Sequence, residues 1–296
     1  RGTSGLSPAK RGRITLKYRR GNTRDPSALA DRDPISVAVA RRDHDTMGMV
    51  RRAVERREVM LAFQPVMGKA RPDRPTFYEG LIRVLDETGR VIPAREFIEV
   101  VETSELGRKI DCLSLEMGLD ALLECASLRL SINMSARSIG YPKWLATLRK
   151  GLLADKTIAE RLILEITEGS AMVMPDIVTA FMRGRQREGI SFALDDFGAG
   201  QTSFRYLRDF YFDFLKIDGQ FVRGVHGNAD NQCLVGALTS IGTHFDMVTV
   251  PESVETAQDA AFLTELGVDC MQGYYFGAPT VVPPWRQPVE TVRRRA

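Results

Sequence analysis

Ile190-Ser191-Phe192-Ala193-Leu194-Asp195-Asp196-Phe197-Gly198-Ala199-Gly200 joins an apolar, strand-like run to two adjacent carboxylates and a glycine-containing turn. Carboxylates at the mouth of a buried strand lose their hydration, and that loss is tolerable only where a cation or hydrogen-bond donors compensate it. Asp195-Asp196 therefore points to a metal site built from oxygen ligands.

Outward from this stretch, short β-rich runs alternate with amphipathic helical stretches, the pattern of a parallel sheet covered by helices. Eight strands are expected, at residues 60–65, 76–83, 128–133, 162–167, 191–196, 212–217, 246–252 and 268–273. Helices are expected between them, at residues 103–125 and 231–245 among others. Eight strands in alternation with helices predict a (β/α)8 TIM-like barrel. Each strand carries a polar residue at or near its C-terminal end: Gln64, Glu79, Asn133, Glu165, Asp195 with Asp196, Lys216, Glu252 and Gln272. In such a barrel those ends meet on one rim, where active sites are assembled. The set is dominated by carboxylates and carboxamides, the donors that Mg²⁺, Mn²⁺ or Ca²⁺ prefer.

The bulk properties narrow the classes. A chain of 296 residues with 44% apolar residues is long enough for one large barrel. The net charge of +3 sits in basic clusters near the two ends, so no DNA or RNA binding is indicated for the whole chain. No run approaches the ~20 apolar residues of a membrane span. Four widely spaced cysteines without a C-x-x-C pair read as reduced thiols, which suits a cytoplasmic location. Residues 1–44, rich in Arg, Gly, Ser, Pro and Asp, read as a flexible basic leader or linker. A helix is expected to start at an Asp45 cap, with Met47, Val50 and Val54 on its apolar face. The barrel domain then covers 45–288, and 289–296 is a basic tail.

Tyr78-Glu79-Gly80-Leu81-Ile82-Arg83, Ile132-Asn133-Met134-Ser135, Leu164-Glu165-Ile166-Thr167-Glu168, Leu194-Asp195-Asp196-Phe197-Gly198, Leu215-Lys216-Ile217-Asp218, Pro251-Glu252-Ser253-Val254-Glu255-Thr256 and Gln272-Gly273-Tyr274 together resemble the EAL-domain family. That family hydrolyses cyclic di-GMP to linear pGpG. The resemblance implies a first metal ion on Glu79, Asn133, Glu165 and Asp195, and a second shared by Asp195 with Asp196. It implies that Lys216 and Glu252 position or polarise the attacking water, with Gln272 near the same cluster. Arg83 would contact a substrate phosphate, Gln64 would lie beneath the ligand, and Glu168 would brace the loop after Asp196. Mg²⁺ or Mn²⁺ as cofactor and a homodimer as the assembly are likewise implied. Asp218 reads equally well as a site neighbour and as a simple helix cap.

The chain departs from the family pattern at three points. The Glu-Ala-Leu triplet is Glu79-Gly80-Leu81, the loop reads Phe197-Gly198-Ala199-Gly200-Gln201-Thr202-Ser203, and Ser253 replaces a usual glycine. No primary ligand is missing, which favours an active phosphodiesterase. The altered loop keeps a second reading open, a catalytically silent receptor for cyclic di-GMP or for a protein partner.

Overall fold

The computed structural model describes residues 34–199 and 207–286, with side chains described from Arg42 onward. The chain divides into two units, residues 1–42 and 43–296, and the site lies in the second. The remainder of the leader, most of the loop after Asp196 and the basic tail fall outside the described residues.

Helix α1 runs Pro34–Arg56. This corrects the expected start at Asp45, which lies inside the helix, and the expected leader, whose residues from Pro34 on are helical. Proline suits a first helical turn, where its missing N–H has no acceptor in any case. Val50, Ala53 and Val54 are the buried face.

Next come β1 (Val59–Gly68), β2 (Arg71–Leu85) and a short β3 (Val91–Pro93). After α2 (Ile98–Val101) and α3 (Glu105–Glu124), the strands β4 (Leu130–Asn133), β5 (Leu162–Thr167), β6 (Ser191–Phe197), β7 (Phe214–Ile217), β8 (Val248–Pro251) and β9 (Cys270–Gln272) alternate with helices. These are α4 (Pro142–Ala154), α5 (Ile158–Arg161), α6 (Glu168–Val173), α7 (Pro175–Gln186), α8 (Gly219–Val222), α9 (Ala229–His244) and α10 (Ala257–Leu266). Side chains set several helix starts: Ser104 Oγ accepts from Leu106 N, Asn228 Oδ1 from Asp230 N, and Thr256 Oγ1 from Asp259 N.

The strands pair in the order β8-β7-β6-β5-β4-β2-β1-β9, and β3 adds to β2 outside that path. The two ends of the path meet where Val254 N donates to Gln272 O at 3.0 Å. The result is a nearly closed eight-stranded, TIM-like barrel. One strand departs from the all-parallel expectation: β1 runs antiparallel to both β2 and β9. The two-residue link between β1 and β2 permits a hairpin, whereas a parallel pair needs a crossover of a dozen or more residues.

Inside the barrel two layers lie one above the other. Val66, Phe77, Ile163, Ala193, Val250 and Cys270 form one apolar cluster, with Phe214 packed against it. Each lies two positions from a polar residue on its own strand or, for Val250 and Glu252, just past its end, so strand alternation turns both the same way. On the parallel strands, and on β2 and β9, the apolar residue precedes the polar one, as in Phe77 and Glu79 or Ile163 and Glu165. On β1 the order is reversed, Val66 following Gln64, because that strand runs the other way. The neighbouring positions, Leu164, Ile166, Leu194, Leu215 and Ile217, are fully buried under the helices.

Candidate metal centre

Lys216 is the centre of the polar layer. Its ammonium is 1% exposed and lies 2.6 Å from Glu165, 2.7 Å from Glu252, 3.0 Å from Asp195 and 3.4 Å from Glu79. Burial alone would drive a lysine toward its neutral form; the four carboxylates outweigh it and hold Lys216 protonated well above the usual range. The acids respond unequally. Burial and the neighbouring Glu79 push Glu165 well above the ordinary carboxylate range, and burial with like charge raises Asp195 too. Glu252 is pushed up to about 8, chiefly by burial. Glu79 is also buried, yet it moves down, because Lys216, Gln272 and Asn133 all stabilise its charge.

Adjacent residues on a strand face opposite ways, so Asp195 and Asp196 should not share a site. Between Leu194 and Phe197 the pairing of β6 with β7 slips, and Asp196 takes a left-handed backbone conformation with φ 54°. This bulge aims both carboxylates into one cavity. Asp196 is pushed up to about 6, first by partial burial and then by Asp195.

Ligand-capable oxygens fall into two groups that share a member. Atoms of Glu79, Glu165 and Asp195 lie within 4.8 Å of one another, as do atoms of Asp195, Asp196 and Glu252. Asn133 joins the first group, its Nδ2 donating to Glu79 Oε1 at 2.8 Å and leaving its carbonyl oxygen as a donor atom for a cation. Glu165 Oε1 is buried without a hydrogen-bond partner among the described residues, the situation a cation would relieve. Five carboxylates around one ammonium leave a formal charge of four negative, which two divalent ions would cancel. An all-oxygen donor set of this kind fits hard divalent cations.

Gln64 reaches the site through register. It sits within β1 opposite Glu79, not at a strand end as the sequence suggests. Gln272 Nε2 donates to Glu79 Oε2 at 2.6 Å and to Gln64 Oε1 at 3.2 Å, tying β9, β2 and β1 together under the site. Glu168 Oε2 accepts from Gly198 N at 3.2 Å, a backbone contact that does not require a hydroxyl at Ala199. Asp218 caps α8, accepting from Gln220 N at 2.7 Å, and its charge adds to the upward shift of Asp196. Arg83 lines the cavity and donates to Ile82 O at 2.9 Å.

The cavity over this layer measures about 1100 Å³ and is also lined by Tyr274 and by residues that sequence reading passes over: Arg95, Asp111 and Arg223. Asp111 is buried in α3, accepts from Ser138 Oγ at 2.6 Å and Ser135 N at 3.0 Å, and is raised to about 6 by burial. Its position between the buried apolar residues Ile110 and Cys112, on the apolar face of α3, is the signal that marks it. Arg223 sits beyond the Lys216 strand and carries no comparable mark.

The family model described as EAL domain matches residues 47–279, most of the chain. The chain belongs to the EAL-domain family. This EAL domain is 29% identical over 250 residues to cyclic di-GMP phosphodiesterase PdeB of Shewanella oneidensis, covering 82% of the chain and 29% of that protein. It is 28% identical to cyclic di-GMP phosphodiesterase PdeF of Escherichia coli, covering 84% of the chain and 34% of that protein. The chain thus spans about a third of the curated relatives it matches. Among solved structures, the PaMucR phosphodiesterase in complex with c-di-GMP aligns with a TM-score of 0.72 and 27% identity, over 80% of this EAL domain and 97% of that chain. The FimX EAL domain from Pseudomonas aeruginosa bound to c-di-GMP aligns with the same TM-score at 26% identity, over 80% and 97%. Among the described residues of this EAL domain, no helix is long and apolar enough to cross a membrane.

Proposed function

We propose that this EAL domain hydrolyses cyclic di-GMP to linear pGpG with two Mg²⁺ or Mn²⁺ ions. The observation that carries the reading is the oxygen set of Glu79, Asn133, Glu165, Asp195, Asp196 and Glu252 around buried Lys216, all of it but the fully buried Glu165 lining one cavity. Glu79, Asn133, Glu165 and Asp195 would hold one ion, and Asp195 with Asp196 the other. Bound there, such ions screen the phosphodiester and lower the pKa of water.

The chain's own groups supply the rest. Lys216 remains an ammonium and orients the carboxylates it touches. Glu252, 2.7 Å from Lys216 and on the cavity wall, is placed to take the proton of the attacking water. Arg83 has guanidinium donors to spare for a phosphate oxygen. Gln64 and Gln272 fix Glu79 by hydrogen bonds. The names of the relatives and the c-di-GMP complexes among the structural neighbours support the same substrate.

The test is pGpG formation by purified protein with Mg²⁺ and, separately, Mn²⁺. Product that vanishes with chelator and with Glu79→Ala supports the hydrolase. Tight binding of cyclic di-GMP without any product, in folded protein loaded with either metal, would replace it by the silent-receptor reading, favoured by the Ala199 loop and by Ser253 beside Glu252.

A further inference from the structure

Ser253 follows Glu252 directly and holds a left-handed backbone conformation, φ 56°, which an L side chain adopts at a cost. A glycine would take it freely, so the serine side chain must be sought in what it touches. Its Oγ accepts a hydrogen bond from Arg223 Nη2 at 3.1 Å. Glu255 Oε1 lies 3.5 Å from Arg223 Nε on the same loop. Space for the arrangement comes from Gly219, where an added Cβ would fall 2.6 Å from Ser253 Cβ and 3.2 Å from Arg223 Nη2. Ser253 and Glu255 from the loop after β8, with Gly219 of α8, thus place one guanidinium at the cavity wall.

Arg223 follows α8 beyond β7, whereas Arg83 lies on β2. In the eight-strand path those strands are four places apart, on opposite walls of the barrel. Both arginines line the same cavity, with the acidic layer between them. A cyclic dinucleotide carries two phosphates on opposite sides of its ring, so a cleft with one cationic fork on each wall is matched to it. The Arg223 side chain is 58% exposed, and its ion pair with Glu255 is of the surface kind that contributes little, so a phosphate oxygen can displace that carboxylate.

We propose that Arg223 binds the phosphate of the cyclic dinucleotide that is not being cleaved, and that Ser253 is the residue that positions it. The inference rests on the cyclic di-GMP reading above. Arg223 grips a phosphate whose bonding and charge do not change in the reaction, so it holds ground state and transition state alike, and its loss raises KM with kcat unchanged.

The test is titration calorimetry of cyclic di-GMP together with steady-state kinetics, on wild type, Arg223→Gln, Arg223→Lys and Ser253→Gly. Arg223→Gln should raise Kd and KM about tenfold with kcat changed less than twofold, the scale of one charge-assisted hydrogen bond. Arg223→Lys should recover part of the loss. Ser253→Gly should weaken binding several-fold while raising Tm, because it relieves the left-handed strain and frees the arginine. A merely structural role would move affinity and Tm in the same direction. Unchanged Kd in Arg223→Gln, with wild type binding normally, would overturn the assignment of Arg223 alone. Absence of cyclic di-GMP binding by wild type would overturn it together with the substrate reading.

Discussion

A methyl group added at Gly80 would come within 2.6 Å of Ile132 Cδ1 and 3.3 Å of the Ser131 carbonyl oxygen. Ile132 fills the space that Gly80 and Gly118 leave between β2, β4 and α3, so this glycine serves packing beside Glu79. Gly80→Ala, which restores the usual family triplet, should cost about 1–3 kcal/mol through overpacking. Ile132→Val removes the clashing carbon, and in a urea-unfolding double-mutant cycle it should cancel much of that cost. Asp111 makes a second prediction at this scale. Its folded pKa is raised from 3.8 to about 6 by burial. The folded state therefore keeps this proton to a higher pH than the unfolded chain, and stability falls as pH rises from 3.8 through about 6. Asp111→Asn cannot ionise, so the difference in unfolding free energy between variant and wild type should grow in favour of the variant across that window, by up to roughly 3 kcal/mol. A difference independent of pH would show that Asp111 does not titrate there.

At the scale of elements, the β6 bulge converts two residues that alternation would separate into two members of one site. Its cost is the left-handed Asp196. Substituting Asp196 by Gly or by Ala removes the same carboxylate, but only glycine takes that backbone freely. Asp196→Gly should accordingly be the more stable variant by about 1 kcal/mol in thermal unfolding, with both losing Mn²⁺ affinity by calorimetry. Equal stability of the two would mean that the bulge relaxes once the charge is gone. The β1–β2 hairpin works in a comparable way: antiparallel register sets Gln64 opposite Glu79, and Gln272 from β9 closes the chain of amides.

For the whole molecule, the acid cluster without cations opposes the fold, since several carboxylates are buried close together around one lysine. Ions that bind only the folded state shift unfolding by mass action, so Mn²⁺ at a hundredfold excess over its Kd should add about 2.7 kcal/mol per independent site. Tm should rise with Mn²⁺ concentration, return with EDTA and rise far less in Glu79→Ala. A Tm indifferent to Mn²⁺ and Mg²⁺ would remove the metal centre from the proposed function. Much of this was legible beforehand. Strand alternation, with a polar residue near the end of every barrel strand except β1 and β2, where Gln64 and Glu79 lie mid-strand, and oxygen donors at Glu79, Asn133, Glu165, Asp195 and Glu252 follow from local composition and a period of two, which the amino-acid sequence states directly. The direction of β1 did not follow, because a two-residue period reads the same in either direction and only pairing with β2 and β9 decides it. Nor did the early start of α1, where the short alternating run Ile35-Ser36-Val37-Ala38-Val39-Ala40 satisfies strand and helix alike. That Asp195 and Asp196 share one cavity depends on the sign of a single φ, and that Arg223 faces Arg83 across it depends on the order in which strands pair. Both are settled by contacts between residues far apart in the chain: residue type determined the chemistry on offer, and tertiary pairing decided which groups meet.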